Sequence, residues 1–284
     1  MRALLPLLLA GCAASWSEAF DPSGDGYLSS VWGTSDDDVW VVGGDDDGAS
    51  VRHKVGDDWT RPEPPDVPLL VWVHGFGPDD VWSVGLDGTV VHWDGTSWEQ
   101  LPAPTDQDLW GVFGHTPDEL WIVGGTVGGG RPVLFRLAGG TFEEVEITSD
   151  LNPRQARALF KVWGTGDTTW IVGGNGTILR KQGAGDWAFV SPGAGATEDW
   201  VSLWGTSGDR ITVVGGRTRA QVGVWDGSAW TTTVHDDVPG LNAVWSGRAD
   251  EAIVGGVGGW VGRFDPGTGA LTAETPISPI DVHA

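Results

Sequence analysis

The chain has 284 residues, including 46 glycines, 19 tryptophans and a single cysteine. Its 39 acidic residues outnumber 16 lysines and arginines, which gives a formal net charge of −23. A charge of this sign repels nucleic acids and anionic lipid surfaces, so we expect neither as a general partner. One cysteine excludes an internal disulfide bond.

The N-terminus is typical of an export signal. Arg2 is followed by an apolar stretch from Ala3 to Ala10, which is too short to span a bilayer, and small residues then precede Cys12. The segment Leu9-Ala10-Gly11-Cys12 resembles the lipobox of bacterial lipoproteins. This resemblance implies removal of residues 1–11 and lipidation of Cys12, which would anchor the protein to the cell envelope, at the outer membrane or the cell surface. An ordinary secretory signal is the alternative.

Residues 12–27 are predicted to form a lipidated tether. Within it, residues 15–20 resemble the fourth strand of the repeat described below and are a candidate closing strand, in competition with residues 268–274. Asp21, Ser23 and Asp25 match the first, third and fifth positions of a calcium loop. The twelfth position is Trp32 instead of glutamate, so a plain turn is the alternative to a weak calcium site.

One pattern repeats six times between residue 28 and the C-terminus, at intervals of about 40–50 residues, close to the period of a four-stranded propeller blade. Each copy has an apolar start, then an aromatic residue or histidine, then a small residue. These aromatic or histidine positions are Trp32, His74, Phe113, Trp163, Trp204 and Trp245. The sequence predicts an all-β propeller of six four-stranded blades over residues 28–284. Because residues 279–284 resemble another first strand, seven blades or a truncated last repeat are alternatives.

The second repeat shows the expected strands clearly. They are residues 70–75, 81–85, 89–93 and 97–101, separated by turns rich in glycine and aspartate. Short runs of β-branched and aromatic residues between such turns favour antiparallel strands over helices.

The turns and glycine pairs of the repeats resemble known propeller motifs. Five repeats have a glycine pair after the second strand, and such a pair followed by a tryptophan resembles kelch repeats. The turns at residues 93–98 and 225–230 resemble the Asp-box, or BNR, motif. Because the full Asp-box spacing and the regular kelch tyrosine are absent, the resemblance extends only to the broad group of kelch, Asp-box and YCF48-like propellers. That group is functionally diverse.

The recurring tryptophans are predicted to fill the widening space between blades. A large aromatic side chain buries on the order of 150–250 Å². The core candidates are Trp40, Trp82, Trp121 and Trp170 on second strands, and Trp59, Trp98, Phe142, Trp187 and Trp230 near the fourth strands. Trp110, Trp200 and Trp260 break this register, so they are candidates for exposed stacking on a sugar.

The sequence contains no recognisable catalytic or metal-binding motif. Its six histidines are scattered without a His-x-x-x-His pair, and no nucleophile elbow or phosphate-cradling loop is present. The single tyrosine, Tyr27, argues against the chemistry of sialidases, which include Asp-box propellers. We therefore predict no catalytic residue, no cofactor and no enzymatic activity.

Five arginines mark a candidate ligand-binding rim. They fall in the loops after second and fourth strands, although arginine is scarce in the chain: Arg131, Arg154, Arg157, Arg217 and Arg219. Loops on a rigid scaffold often carry binding function. The prediction is a surface for an anionic glycan or an acidic protein, and unrelated exposed arginines are the alternative.

The predicted function is a non-enzymatic interaction platform. The protein would be a monomer anchored to the envelope through its lipid and would bind an envelope protein or glycan. One alternative is a structural or assembly factor of the envelope. Another is a glycosidase or lyase acting in the central funnel, which would need a converging acid–base pair that the sequence does not reveal.

Overall fold

The computed structural model describes residues 18–127, 130–193 and 195–274. Over these ranges the chain forms six four-stranded sheets in which each strand pairs antiparallel with its neighbour in sequence. The sheets are arranged as the blades of a six-bladed β-propeller, which confirms the predicted fold class. The predicted signal segment, Cys12 and the strand-like residues 279–284 lie outside the described residues.

The first three blades have the following strands. Blade 1 contains β1 (Tyr27–Ser35), β2 (Asp38–Asp45), β3 (Gly48–Val55) and β4 (Asp58–Thr60). Blade 2 contains β5 (Leu70–Gly77), β6 (Asp80–Gly85), β7 (Val90–Trp93) and β8 (Trp98–Gln100). Blade 3 contains β9 (Leu109–Thr116), β10 (Glu119–Gly124), β11 (Val133–Ala138) and β12 (Thr141–Glu144).

The last three blades follow the same order. Blade 4 contains β13 (Leu159–Thr165), β14 (Thr168–Gly173), β15 (Thr177–Gln182) and β16 (Ala188–Phe189). Blade 5 contains β17 (Trp200–Ser207), β18 (Arg210–Gly215), β19 (Ala220–Trp225) and β20 (Trp230–His235). Blade 6 contains β21 (Leu241–Arg248), β22 (Glu251–Gly256), β23 (Val261–Asp265) and β24 (Ala270–Ala273). Blade 6 thus takes its fourth strand from within residues 268–274. Short 3₁₀ turns occupy Gly174–Gly176 and Val257–Gly259.

The tryptophans interlock neighbouring blades, as the repeat pattern predicts. A second-strand indole meets the fourth-strand indole of the next blade edge to face, with ring centroids 5.5 Å apart for Trp40 and Trp98. The same contact joins Trp170 of blade 4 to Trp230 of blade 5 at 5.4 Å. Edge-to-face packing is a favoured arrangement of aromatic rings and adds to the energy of burial. These four side chains are buried in the core.

The expectation of exposed stacking fails for Trp200, which is completely buried. Trp110 is half-buried, and its Nε1–H donates to the carbonyl oxygen of Gly125 at 2.8 Å. Trp260 packs against the apolar core between blades 5 and 6. Burial wins at position 200 because an inner strand of a propeller is covered by a blade on either side.

A second interlock surrounds the central axis. The aromatic side chain of one inner strand covers the small residue that follows the aromatic position in the next blade. A Cβ atom on Gly75 would lie 2.5 Å from the Trp32 ring, and one on Gly205 would lie 3.2 Å from the Trp163 ring. The aromatic–small pair of each repeat therefore lets adjacent inner strands approach closely.

Candidate functional site

The five arginines of the predicted rim are spread over blades 3 to 5. Arg131 pairs with Glu144 at 2.5 Å, Arg219 pairs with Asp236 at 2.6 Å, and Arg217 pairs with Asp199. Arg154 donates to the carbonyl oxygen of Ala196 at 2.7 Å, and Arg157 is exposed. An anionic ligand would have to compete with three carboxylates already in place, so the rim stays a prediction.

The candidate calcium segment is tied to blade 1 by arginines. Asp25 is buried, and its carboxylate accepts hydrogen bonds from Arg52 at 2.9 Å and from Arg61. The carboxylate of Asp21 instead accepts from the backbone N–H of Ser23 at 2.9 Å, which is a local turn. In the part of the chain that the structure describes, no cluster of three or more histidine, cysteine, aspartate or glutamate side chains could hold a metal ion. Calcium binding at Asp21, Ser23 and Asp25 stays untested.

Several acidic residues between first and second strands have a structural role. Asp38 contacts Nε2 of His53 at 2.7 Å, and the His53 ring stacks on Trp40 with centroids 3.6 Å apart. Blade 2 repeats the arrangement, with Asp80 2.7 Å from Nε2 of His92. Blades 3 and 6 have arginine in place of histidine, in the pairs Glu119–Arg136 and Glu251–Arg263. These acids therefore orient third-strand histidine or arginine side chains, and the two histidine rings stack on second-strand indoles.

Blades 6 and 1 meet at a seam that differs from every other blade junction. Successive inner strands pack together from β1 to β21, but among the described residues β21 and β1 do not pack in this way. Val31 on β1 is 55% exposed, whereas the equivalent residues of the other five blades are at most 2% exposed. On the opposite side, Trp245 is 50% exposed and its ring lies close to Gly247 of its own strand instead of covering blade 1.

The seam is where exposed apolar side chains concentrate. Seven large hydrophobic residues are exposed in the described ranges. Five of them lie on β1, on β21 or in the 3₁₀ turn of blade 6: Tyr27, Leu28, Val31, Trp245 and Val257. We call these five residues the seam patch. A concentration of exposed apolar side chains is typical of a site where another polypeptide binds.

The axis contains a second unusual feature, the side chain of Lys161. It extends from β13 of blade 4 across blade 3, and its Nζ lies 2.9 Å from the centroid of the Trp72 ring on β5 of blade 2. Gly111 of blade 3 makes this crossing possible, because its backbone lies against β13. Lys161 is fully buried and has no carboxylate partner within 4 Å among the described residues.

Burial lowers the pKa of Lys161 well below its usual value. The Trp72 ring opposes this shift, since a desolvated cation–π contact favours the ammonium by about 2 kcal/mol. Burying an unpaired ammonium costs roughly several kcal/mol even after relaxation, which outweighs the ring contact. The fold therefore shifts this amine toward its neutral form.

His74 lies beside this pair, and burial favours its neutral form. Its Nε2 is 3.1 Å from the carbonyl oxygen of Gly114 and must donate, because a carbonyl only accepts. Burial lowers the pKa of His74 to about 4, against the raising effect of that hydrogen bond. The charge of Lys161 acts in the same direction as burial, which places the two groups within electrostatic reach.

The sequence analysis did not single out Lys161. The signal was present, because the third position of the six inner strands reads Ser30, Trp72, Gly111, Lys161, Ser202 and Ala243. Lysine is the only charged residue at this repeat position, where the other five blades have small or aromatic residues. Only the register of the fold shows that this position faces Trp72.

These features define the described chain as a six-bladed β-propeller with an apolar seam and a buried axial lysine. No model of a protein family matches the sequence, and no curated protein matches it significantly. The resemblance to kelch and Asp-box repeats therefore stays a prediction.

Solved structures share the fold. YCF48 from Cyanidioschyzon merolae superposes with a TM-score of 0.68 at 15% identity, over 95% of this chain and 92% of that one. YCF48 bound to a D1 peptide superposes with a TM-score of 0.57 at 16% identity, over 80% of this chain and 73% of that one. Virginiamycin B lyase from Staphylococcus aureus superposes with a TM-score of 0.67 at 17% identity, over 92% of this chain and 87% of that one. At these identities the likeness shows the fold alone.

Proposed function

We propose that this protein is a non-enzymatic interaction platform, anchored to the cell envelope through Cys12, that binds a partner polypeptide at the seam patch. The observation that carries the proposal is the exposure of Val31 and Trp245 at positions where the repeat buries or covers its side chains elsewhere. Full burial of a large apolar side chain contributes about 1.5–3 kcal/mol, so a partner that covers these partly exposed side chains gains a share of that energy from each.

The charge around the seam narrows the class of partner. Exposed acids flank β1 at Asp36 and Asp37 on one end and at residues 45–47 on the other, in a chain of net charge −23. An extended segment with apolar side chains between lysines or arginines complements both the patch and its surroundings. An acidic glycan lacks the apolar groups and carries the wrong charge for this surface.

A peptide titration with the detergent-solubilised full chain tests the seam. The probe is a fluorescent twelve-residue peptide alternating leucine and lysine, compared with one alternating leucine and glutamate. We expect the lysine peptide to bind and the glutamate peptide to bind at least tenfold more weakly. Val31→Ser and Trp245→Ser should each weaken binding severalfold. Val55→Ser is the matched control, since Val55 is 57% exposed outside the patch and should not matter.

Equal binding of the lysine peptide by wild type and both patch variants would overturn the seam as the binding surface. Anchoring is tested separately in cells by incorporation of an alkyne-tagged fatty acid. The label should appear on the wild-type chain and be absent from Cys12→Ser, whereas label on both would show that Cys12 is not the lipid-bearing residue.

A further inference from the structure

The seam lacks both halves of the aromatic–small contact that joins the other inner strands. Gly33 of blade 1 is exposed, and the atoms nearest to a Cβ atom there belong to its own blade, whereas a Cβ atom on Gly75 would meet the Trp32 ring of the preceding blade. On the other side, Trp245 is 50% exposed and covers no residue of blade 1. The seam is therefore short of one strand that presents an aromatic side chain to blade 1 and a small residue to blade 6.

The apolar positions of β1 lack the same cover. Leu28 and Val31 are 37% and 55% exposed, whereas the residues at these two repeat positions are buried in the other five blades. In those blades the inner strand of the preceding blade packs against them. A strand that follows blade 6 would thus bury the part of the seam patch that belongs to blade 1.

Residues 279–284 have the pattern of such a strand and lie outside the described residues. Val282, His283 and Ala284 match the Val-His-Gly run of β5, in which histidine takes the aromatic position. His283 follows Trp245 by 38 residues, which is close to the repeat interval. The connection is also long enough, because five residues, 274–278, separate β24 from this segment and five, 236–240, separate β20 from β21.

We propose that residues 279–284 dock in the seam as an additional inner strand and shield the seam patch until a partner polypeptide displaces them. In this arrangement His283 covers Gly33, Ala284 lies under the ring of Trp245, and Val282 packs beside Val31. The displacement rests on the proposed function, whereas the docking of the segment does not.

The contacts of this segment make it a displaceable cover. Its six residues are long enough for one strand only, so taken alone it gains side-chain contacts with two blades but no neighbouring strand in a sheet of its own. Its one acidic residue, Asp281, is repelled by the acids that flank β1. A partner that carries lysines is attracted by those same acids, so it can compete for the patch.

Thiol accessibility in the full chain tests the docking. Val31→Cys and Val55→Cys are each made in a Cys12→Ser background, so that each protein has one thiol, and both react with a small maleimide without any added peptide. The two valines are 55% and 57% exposed among the described residues, so the thiols should react at similar rates if nothing else covers them. We expect the thiol at position 31 to react at least fivefold more slowly, and a smaller difference would overturn the proposal.

A variant of the segment shows whether it is the cover. Val282→Ser combined with His283→Ser keeps the length of the segment but removes its apolar and aromatic contacts, so it should raise the rate at position 31 to that at position 55. A rate that stays slow would mean that something else covers Val31. Slow reaction that is lost on dilution, together with a dimer in size-exclusion chromatography, would assign the cover to a second copy and overturn docking within one chain.

The same double variant tests displacement in the titration with the leucine–lysine peptide. It should bind that peptide severalfold more tightly than the wild type, because no segment has to leave the seam, and equal affinity would overturn the competition. The two proposals can fail separately. A protected thiol with no peptide binding would leave the docked segment and reject the peptide site, whereas peptide binding with an unprotected thiol would do the reverse.

Discussion

The indole of Trp32 in blade 1 covers Gly75 in blade 2 so closely that a methyl group at position 75 would lie 2.5 Å from the ring. The relationship recurs between Trp163 and Gly205. Where the small residue is replaced by Ser246, the Nε1–H of Trp204 donates to its backbone carbonyl oxygen at 3.1 Å. The aromatic–small pair therefore joins each inner strand to both of its neighbours. Its aromatic ring covers the small residue of the next blade, and its own small residue is covered by the ring of the preceding blade.

Adding a side chain at Gly75 should destabilise the propeller. In Gly75→Ala the new Cβ meets the Trp32 ring and also lies 3.0 Å from the carbonyl oxygen of Asp80, so either the ring or the strand must shift. Overpacking of this kind costs about 1–3 kcal/mol of unfolding free energy, measurable by urea denaturation. Gly77→Ala is the control on the same strand, because a Cβ atom at position 77 would have nothing within 4 Å. Equal losses in both variants would contradict the interlock.

Removing the charge of Asp25 should release the N-terminal segment from blade 1. The buried carboxylate holds Arg52 and Arg61, and Phe20 packs on Trp59 with centroids 4.5 Å apart. Asp25→Asn weakens two charge-assisted hydrogen bonds, so we expect a loss of about 2–3 kcal/mol in urea denaturation.

Asp21→Asn is the matched control for that loss. Its side chain is exposed, and asparagine can accept the same hydrogen bond from the N–H of Ser23, so the expected change is within about 0.5 kcal/mol. If calcium addition stabilised the wild-type chain and neither variant, the segment would be a metal site and the purely structural explanation would be wrong.

The propeller could be predicted from the sequence because every blade needs large apolar side chains at the same repeat positions. Trp40, Trp121 and Trp170 recur at the same repeat position, and each is buried as expected. The exception, Trp200, was misjudged because its spacing departs from the second- and fourth-strand registers. It occupies the first position of an inner strand, where the other repeats place leucine, and that position is buried in blades 2 to 6.

The seam and the axial lysine could not be predicted in the same way. The exposure of Val31 is invisible in a sequence where Val73 and Val162 share its repeat position and are buried. The contact of Lys161 with Trp72 joins blades that are not neighbours, across Gly111, so no local pattern encodes it. Likewise, the predicted arginine rim took no account of Glu144, Asp199 and Asp236, which are distant in sequence from their partners.

Replacing His74 by the phenylalanine that stands at the equivalent position of blade 3 should reduce sensitivity to acid. Because burial lowers the pKa of His74 to about 4, the unfolded state binds a proton that the folded state does not bind between about pH 6.5 and pH 4. Wild-type stability therefore falls as the pH drops through this window, by about 3 kcal/mol from this residue alone.

His74→Phe removes that contribution while the carboxylates titrate as before. Urea denaturation at pH 7.5 and pH 4.5 should show a smaller acid loss for the variant, by roughly 2–3 kcal/mol. At pH 7.5 the variant loses the hydrogen bond to Gly114, so its absolute stability there is not the test. Acid losses of equal size in the two proteins would show that His74 is protonated without penalty in the fold.

Replacing Lys161 by methionine should stabilise the protein at neutral pH and change its response to alkali. Burial lowers the pKa of Lys161 in the folded chain, whereas in the unfolded chain it is about 10.4. At any pH between these two pKa values, the unfolded chain therefore binds one proton that the folded chain does not bind. Wild-type stability is thus highest above the unfolded pKa and falls as the pH is lowered, by about 1.4 kcal/mol per pH unit within that window.

Methionine is unbranched, one heavy atom shorter than lysine and uncharged at every pH, so at pH 7 Lys161→Met should be about 1–4 kcal/mol more stable than wild type. The advantage should shrink as the pH rises from 7 to 10, which urea denaturation followed by tryptophan fluorescence can measure. Lys54→Met controls for the removal of one positive charge from a lysine that bonds the backbone oxygen of Asp36 at the surface. A Lys161→Met protein that is less stable than wild type at pH 7 would mean that the amine is charged in the fold and held favourably by Trp72.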